Sequence, residues 1–479
     1  MTPLALSLTV LLAAGCGGSS GSGTGTTFSG NTTVVLLASS TANDQLVEFP
    51  ITLKSLTLTS QSGKTVTLFS EPLSAEFIHL NGNLEPLATV SIPQGIYTSA
   101  SAAFDGTSPV CVGLDSSSGE ILLDGALNGP GTPSVTVNLP QPITVTGTAT
   151  GLVLSLQVSQ SAPFSGGCAQ ALTFSVPIAP MFDLTSLVIA AQPTNSSNGK
   201  ALGLEGAIAS TGASGTQFTV SAPYGYFNGN PPTWQVSTNG STAFQGIGNA
   251  SGLSTGMPVE MDVALQQDGT LLATRVSVYD TNATSLSLSS GQLLNAGPSQ
   301  SAVSGLTAQF VGDLPEMSDE FGYGNASFGV SNQFTNLQSL PFAASFSAAN
   351  AVPGQNVLIT SNAPIVNGFP ALPLPATTMK LIPQTIDGTV SAVSTNSGFT
   401  IYTVTLAPYD LFSNLAARPG QPVLLTNPNT VVVYADSNTQ MLNTSTVSAG
   451  GLFRFYGLVF NDNGTLRMDC AQINDGVPE

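Results

Sequence analysis

Apolar residues in this chain recur at every second position, in short runs cut by Gly, Pro and Asn, and nowhere hold a long 3.6-residue period. A chain patterned this way is confined to strands joined by tight turns. Thr33-Val34-Val35-Leu36-Leu37 reads as a buried strand. Phe49, Ile51 and Leu53 alternate with Pro50, Thr52 and Lys54, whereas Leu56 and Leu58 take the opposite parity, which predicts a bulge near Ser55. Gln61-Ser62-Gly63-Lys64, between two Thr/Leu/Val runs, predicts a hairpin. Charged residues are only 7% of the chain, against about 25% in an ordinary soluble domain. The polar surface must therefore come from Ser, Thr, Asn, Gln and Gly, which suits sheets and turns better than solvated helices. The expected class is all-β, and 479 residues call for several cores.

The net charge is −18, from 26 acids and 8 bases. The bases are Lys54, Lys64, Lys200, Lys380, Arg275, Arg418, Arg454 and Arg467, scattered with no patch to neutralise phosphates. Nucleic acid is thereby excluded as an expected partner. Such a surface is also repelled by anionic lipid, so any membrane attachment needs an anchor.

That anchor is readable at residues 1–16. Leu4–Ala14 is an apolar run too short to span a bilayer, and it ends in Leu12-Ala13-Ala14-Gly15-Cys16. This resembles the lipobox of bacterial lipoproteins, and implies a signal peptide and lipidation at Cys16. Residues 17–30 are Gly/Ser-rich and would reach roughly 20 Å as a flexible tether. By the same resemblance, the lack of Asp after Cys16 favours the outer membrane. The expected partner there is the membrane itself, through the lipid.

Residues 31–190 read as one domain. It contains Ile92-Pro93-Gln94-Gly95-Ile96-Tyr97, where Pro and Gly shape a turn, and closes with Leu152-Val153-Leu154-Ser155-Leu156. This order resembles an uncharacterised domain family of envelope lipoproteins with a Pro-x-Gly-x-Tyr turn, which implies an N-terminal β-sandwich. Residues 191–201 have linker composition.

Beyond the linker the chain repeats, in units expected at 202–282, 298–380 and 384–476. The first carries Gly206-Ala207-Ile208, Phe218-Thr219-Val220, Gly256-Met257-Pro258-Val259 and Asp268-Gly269-Thr270-Leu271. The last carries Gly388-Thr389-Val390, Phe399-Thr400-Ile401, Gly420-Gln421-Pro422-Val423 and Asn463-Gly464-Thr465-Leu466. The middle unit keeps Gly305-Leu306, Phe328-Gly329-Val330 and Gly354-Gln355-Asn356-Val357. These units resemble a second uncharacterised family of small β-barrel modules, similar to OB folds. Two or three OB-like barrels are therefore expected after the sandwich. Asp268-Gly269 and Asn463-Gly464 read as hairpin turns rather than calcium ligands.

Export permits disulfides, and Cys111 and Cys168 share a predicted domain, so they are the expected pair; Cys470 falls on the apolar parity, as a buried free thiol would. One His, His79, and no G-x-S-x-G elbow leave no Ser-His-Asp reading, and a zinc site would need more His and Cys. No cofactor or metal is expected. Asp313, Glu316, Asp319 and Glu320 form the densest acid cluster and read as a solvated loop. The richest binding-type segment holds Tyr224, Tyr226, Phe227 and Trp234. Such rings stack on sugars or peptides. Strand parity turns Trp234 inward with Val236, leaving Tyr224 and Tyr226 on the rim. Together these features favour a non-catalytic lipid-anchored envelope protein that binds a glycan or protein or acts as a spacer. A polysaccharide enzyme using paired carboxylates, or an accessory subunit of an envelope transport or assembly machine, are the alternatives.

Overall fold

The computed structural model describes residues 28–475, apart from 41–45, 49, 71, 78–79, 81–83, 108–109, 115–120, 125–133, 148, 162–179, 188–199, 213–214, 222–232, 267–269, 279–286, 297–299, 310–311, 323–325, 331–336, 362–373, 409, 418–424 and 443. It is all-β: a sandwich, then three five-stranded rings.

The sandwich is built from β1 (Asn31–Ser40), β2 (Leu46–Glu48), β3 (Pro50–Ser60), β4 (Thr65–Phe69), β5 (Leu73–Glu76), β6 (Glu85–Pro93), β7 (Gly95–Thr107), β8 (Val110–Leu114), β9 (Ile121–Asp124), β10 (Ser134–Val137), β11 (Ile143–Val145), β12 (Ala149–Leu156), the one-turn helix α1 (Val158–Ser161) and β13 (Phe182–Leu187). One sheet runs β13-β12-β1-β6; the other runs β10-β7-β3-β4, with β11 on β7 and β5 on β3. A small sheet, β2-β8-β9, stands apart. The apolar run Val34–Ala38 lies at the centre, paired in parallel with β12 and antiparallel with β6. The pairing of β3 with β7 skips Lys54, and that bulge turns Ile51, Leu53, Leu56 and Leu58 all inward. The parity change in the sequence thus marks a real irregularity. Gly63, at φ +80°, closes the β3–β4 hairpin. At the Pro93-Gln94-Gly95 turn, the buried Tyr97 hydroxyl donates back to the Pro93 carbonyl at 2.6 Å.

Barrel 1 comprises β14 (Lys200–Thr211), β15 (Gln217–Ser221), β16 (Thr233–Ser237), β17 (Ala243–Gln245), β18 (Pro258–Leu265) and β19 (Leu271–Val278). Barrel 2 comprises β20 (Ser287–Ala296), β21 (Gln300–Gln309), β22 (Gly312–Gly322), β23 (Ser327–Val330), β24 (Asn356–Ser361) and β25 (Leu374–Leu381). Barrel 3 comprises β26 (Gln384–Asn396), β27 (Phe399–Leu406), the helix α2 (Leu411–Ala416), β28 (Thr430–Leu442), β29 (Leu452–Asp462) and β30 (Thr465–Asp475). The rings run β16-β15-β14-β18-β19, β22-β21-β20-β24-β25 and β28-β27-β26-β29-β30. Each closes through a parallel pair, β16–β19, β22–β25 and β28–β30. A five-stranded ring closed in this way is the OB type of barrel.

The three rings also share one local device. Before the fourth strand, Gly256, Gly354 and Gly450 sit at φ +87°, +91° and +86°. Their N–H groups donate to Ile208, Leu293 and Val390 on the first strand, whose N–H groups donate back to Met257, Gln355 and Gly451. Each first strand bulges directly after that residue. Only glycine holds this φ without strain.

This register corrects several motif assignments. In barrel 3 the turn glycine is Gly450; Gly420-Gln421-Pro422-Val423 lies outside the described residues. In barrel 2 the first strand is β20, starting at Ser287 ahead of the expected 298; Gly305-Leu306 lies on the second strand and Phe328-Gly329-Val330 on the added strand β23. The counterparts of Phe218 and Val220 are Tyr402 and Val404, because the β26–β27 hairpin is longer and puts Phe399 just after its turn. Asp313, Glu316, Asp319 and Glu320, expected in a loop, lie on β22. The first of these precede the short stretch that closes the ring, so Pro315 sits on an edge that needs no donor on its far side.

Asn463-Gly464 is a two-residue hairpin turn with both φ positive, +53° and +88°, as its sequence predicts. Asp268-Gly269 lies outside the described residues. Cys470 is a buried free thiol whose pKa burial pushes up.

Candidate functional site

In barrel 1, β15 and β16 alternate cleanly. Phe218, Val220 and Val236 point into the barrel core. Gln217, Thr233 and Gln235 are exposed, and Thr219, Ser221 and Ser237 half-buried, on the outer face. Gln235 Nε2 donates to Thr219 Oγ1 across the strands at 2.8 Å. This face carries amides and hydroxyls and no charge. Tyr224, Tyr226 and Phe227 belong to the connection between the same two strands and lie outside the described residues.

Trp234 has the predicted inward parity. Its indole Nε1 donates to the Pro86 carbonyl on β6 at 2.9 Å, and the side chain is only 6% exposed. The ring packs in the core that sandwich and barrel 1 share. Trp234 thus lies in the core, as its parity predicts, and there it joins two domains. The indole is large enough to span the junction while its one donor still finds an acceptor.

Of the remaining expected residues, Cys16, His79 and Cys168 lie outside the described residues; Cys111 lies on β8, opposite Leu46 and Asp124.

Two ionic clusters were not anticipated. On barrel 1, Arg275 bridges Asp262 at 2.8 Å and Glu260 at 3.4 Å. It also donates to Ser277, whose hydroxyl donates to Gln245. Asp262 accepts the Gly203 N–H as well, and any side chain at Gly203 would strike the Tyr456 hydroxyl on β29. The cluster thus lies where barrel 1 meets barrel 3.

On barrel 3, Asp387 (β26) accepts from Arg454 Nε (β29) at 3.2 Å. Asp410 lies beside them. It caps α2 by accepting the Phe412 N–H at 2.9 Å, and its other oxygen accepts the Asp387 N–H at 2.9 Å. All three side chains are buried, and Arg454 Nη2 has no hydrogen-bond partner. Burial, then the neighbouring Asp387 charge, pushes the Asp410 carboxyl up to about 7 against the pull of its two backbone bonds. Burial raises Asp387 too, opposed by Arg454. Signals for these groups stood in the sequence: Arg454 interrupts Phe453 and Phe455, and Asp387 follows Ile386 in an apolar strand.

The outer face of barrel 3 differs from that of barrel 1. Phe399 and Tyr434 are buried there, with Ile401 and Val432 partly so, under Leu337, Leu340 and Phe342 from the connection between β23 and β24. Phe342 lies 4.9 Å from the Tyr434 ring and 5.8 Å from Phe460, with the Arg467 guanidinium 5.7 Å from its centroid. Arg467 also donates to the Tyr434 hydroxyl and pairs with Asp462.

Residues 205–277 match the family described as Domain of unknown function (DUF5666). The match takes in barrel 1 from within β14 to within β19. No curated protein and no solved structure matches the chain.

Proposed function

We propose that this protein is a non-catalytic envelope lipoprotein, held to the outer membrane through Cys16, whose barrel 1 binds a glycan while the other domains hold it away from the membrane. The observation that carries the reading is the outer β15–β16 face: exposed, uncharged, rich in amides and hydroxyls, and joined at one end to the segment holding Tyr224, Tyr226 and Phe227. In OB-type barrels the face of the second and third strands, here β15 and β16, is the usual ligand surface, together with the first-to-second and fourth-to-fifth connections. Hydroxyl and amide groups match sugar hydroxyls, and aromatic rings match their apolar faces. The three barrels are read as copies of one module, supported by their common pairing order and glycine turn. The alternative, a hydrolase using paired carboxylates, would draw on Asp313, Glu316, Asp319 and Glu320 of β22. A protein ligand would use the same face.

The test is retention of the soluble ectodomain on immobilised envelope polysaccharides. Thr219→Ala/Gln235→Ala and Tyr224→Ala/Tyr226→Ala variants should each lose retention without a change in melting temperature. Retention equal to wild type in both removes this face from consideration. Anchoring is checked separately, since Cys16→Ser should abolish partition into detergent.

A further inference from the structure

We propose that Asp387, Asp410 and Arg454 form a one-proton latch that seats α2 between barrels 2 and 3 in acid and loosens it as pH rises. The charges do not balance: two buried carboxylates face one buried guanidinium. An unpaired buried charge is costly, and one proton on the carboxylate pair removes it. The residues of α2, Leu411–Ala416, are uncharged, as are Val352–Asn356 of barrel 2; on β30 the residue opposite Arg454 is Asn474, and the nearest acid is Asp475, opposite Phe453.

The cluster has a mechanical connection to the junction. Asp410 caps α2, and the next residue but one, Phe412, is fully buried against Gly354, the turn glycine of barrel 2. A side chain at Gly354 would collide with the Phe412 ring and carbonyl, so helix and turn are in close contact. Gln384, at the start of barrel 3, clamps the same turn by donating to the Gly354 carbonyl and accepting the Asn356 N–H. Ionising both carboxylates sets like charges against each other at the helix cap, and the strain falls on that seat. The sign follows from Asp410, which in the folded protein holds its proton up to about 7. An unfolded Asp releases it near 4. Folding therefore takes up a proton in this window, and the stabilisation present below it is lost as pH rises toward 7.

The experiment is hydrogen exchange on the full chain between about pH 5.5 and 8, corrected for intrinsic rates, with melting temperatures alongside. In wild type, protection of 410–417 and 352–356 should fall by about tenfold or more across that range, while sandwich strands hold steady. Asp410→Asn keeps an oxygen for the Phe412 N–H but cannot ionise, so its protection should be flat. The same fall in Asp410→Asn overturns the latch, as does a wild-type profile that is flat or rises with pH. Should Asp410→Asn fail to fold, Asp387→Asn serves: it keeps the cap and removes the like charge, so retention of the wild-type fall there also overturns the proposal.

Discussion

Barrels 1 and 3 close in the same strand order around the same glycine turn, yet their second and third strands meet the outside differently. On barrel 1 these strands turn Gln217, Thr219, Thr233 and Gln235 outward and nothing among the described residues covers the most exposed of them. On barrel 3 the same strands turn out Phe399, Ile401, Val432 and Tyr434, and the β23–β24 connection of barrel 2 lies over them. The ring fixes where a surface is; the outward residues alone decide whether it meets water or a neighbouring domain. Outward aromatics therefore signalled domain packing here, whereas the ligand reading rests on an outward polar face.

Four substitutions test that contrast. Phe460→Ala should have the largest effect. Its ring is wholly buried where barrel 3 enters the core of barrel 2, and its loss should cost about 3–5 kcal/mol by chemical denaturation, with both barrels weakened together. Trp234→Phe should cost about 1 kcal/mol by leaving the Pro86 carbonyl without its indole donor; a loss confined to glycan retention, with stability unchanged, would return Trp234 to the ligand site. Phe342→Ala should cost about 1 kcal/mol through its lost ring contacts and raise binding of a hydrophobic dye by uncovering Tyr434 and Phe399. Unchanged dye binding would mean the cover does not depend on this ring. Gln235→Ala should shift stability by less than about 0.5 kcal/mol and be visible only in ligand retention. A large stability loss there would show that the barrel 1 face is structural like its counterpart.

Much of the architecture was legible because strand periodicity and turn chemistry are local. The change of parity between Leu53 and Leu56 located a bulge, and Asn463-Gly464 located a hairpin turn. Repeat alignment succeeded at Gly256 and Gly354 and failed at Gly420, because a Gly followed by Val is common. What marks the true position, Gly450, is a positive φ and an exchange of hydrogen bonds with a strand some sixty residues earlier. Partners that distant leave no trace in spacing. Trp234 shows the same limit: its inward parity could be read, but its acceptor stands 148 residues away on another domain. The Asp387–Arg454 pair, 67 residues apart, was missed although both charges interrupt apolar strands. A charge that interrupts an apolar strand is thus a pointer to a buried polar cluster.

The position of β1 also governs how the protein answers a pull. It begins at Asn31, straight after the Gly/Ser segment, and it is the interior strand of its sheet, with eight residues paired in parallel to β12 and eight antiparallel to β6. A pull at Asn31 loads the ladders on both flanks of β1, whereas an edge strand has a ladder on one flank alone. Extraction must break them almost together, with Val34–Ala38 torn from the core in the same step. Survival under force is set by that unfolding rate and not by equilibrium stability. The N-terminal segment thus joins the sandwich through an interior strand, ahead of the three barrels in the chain.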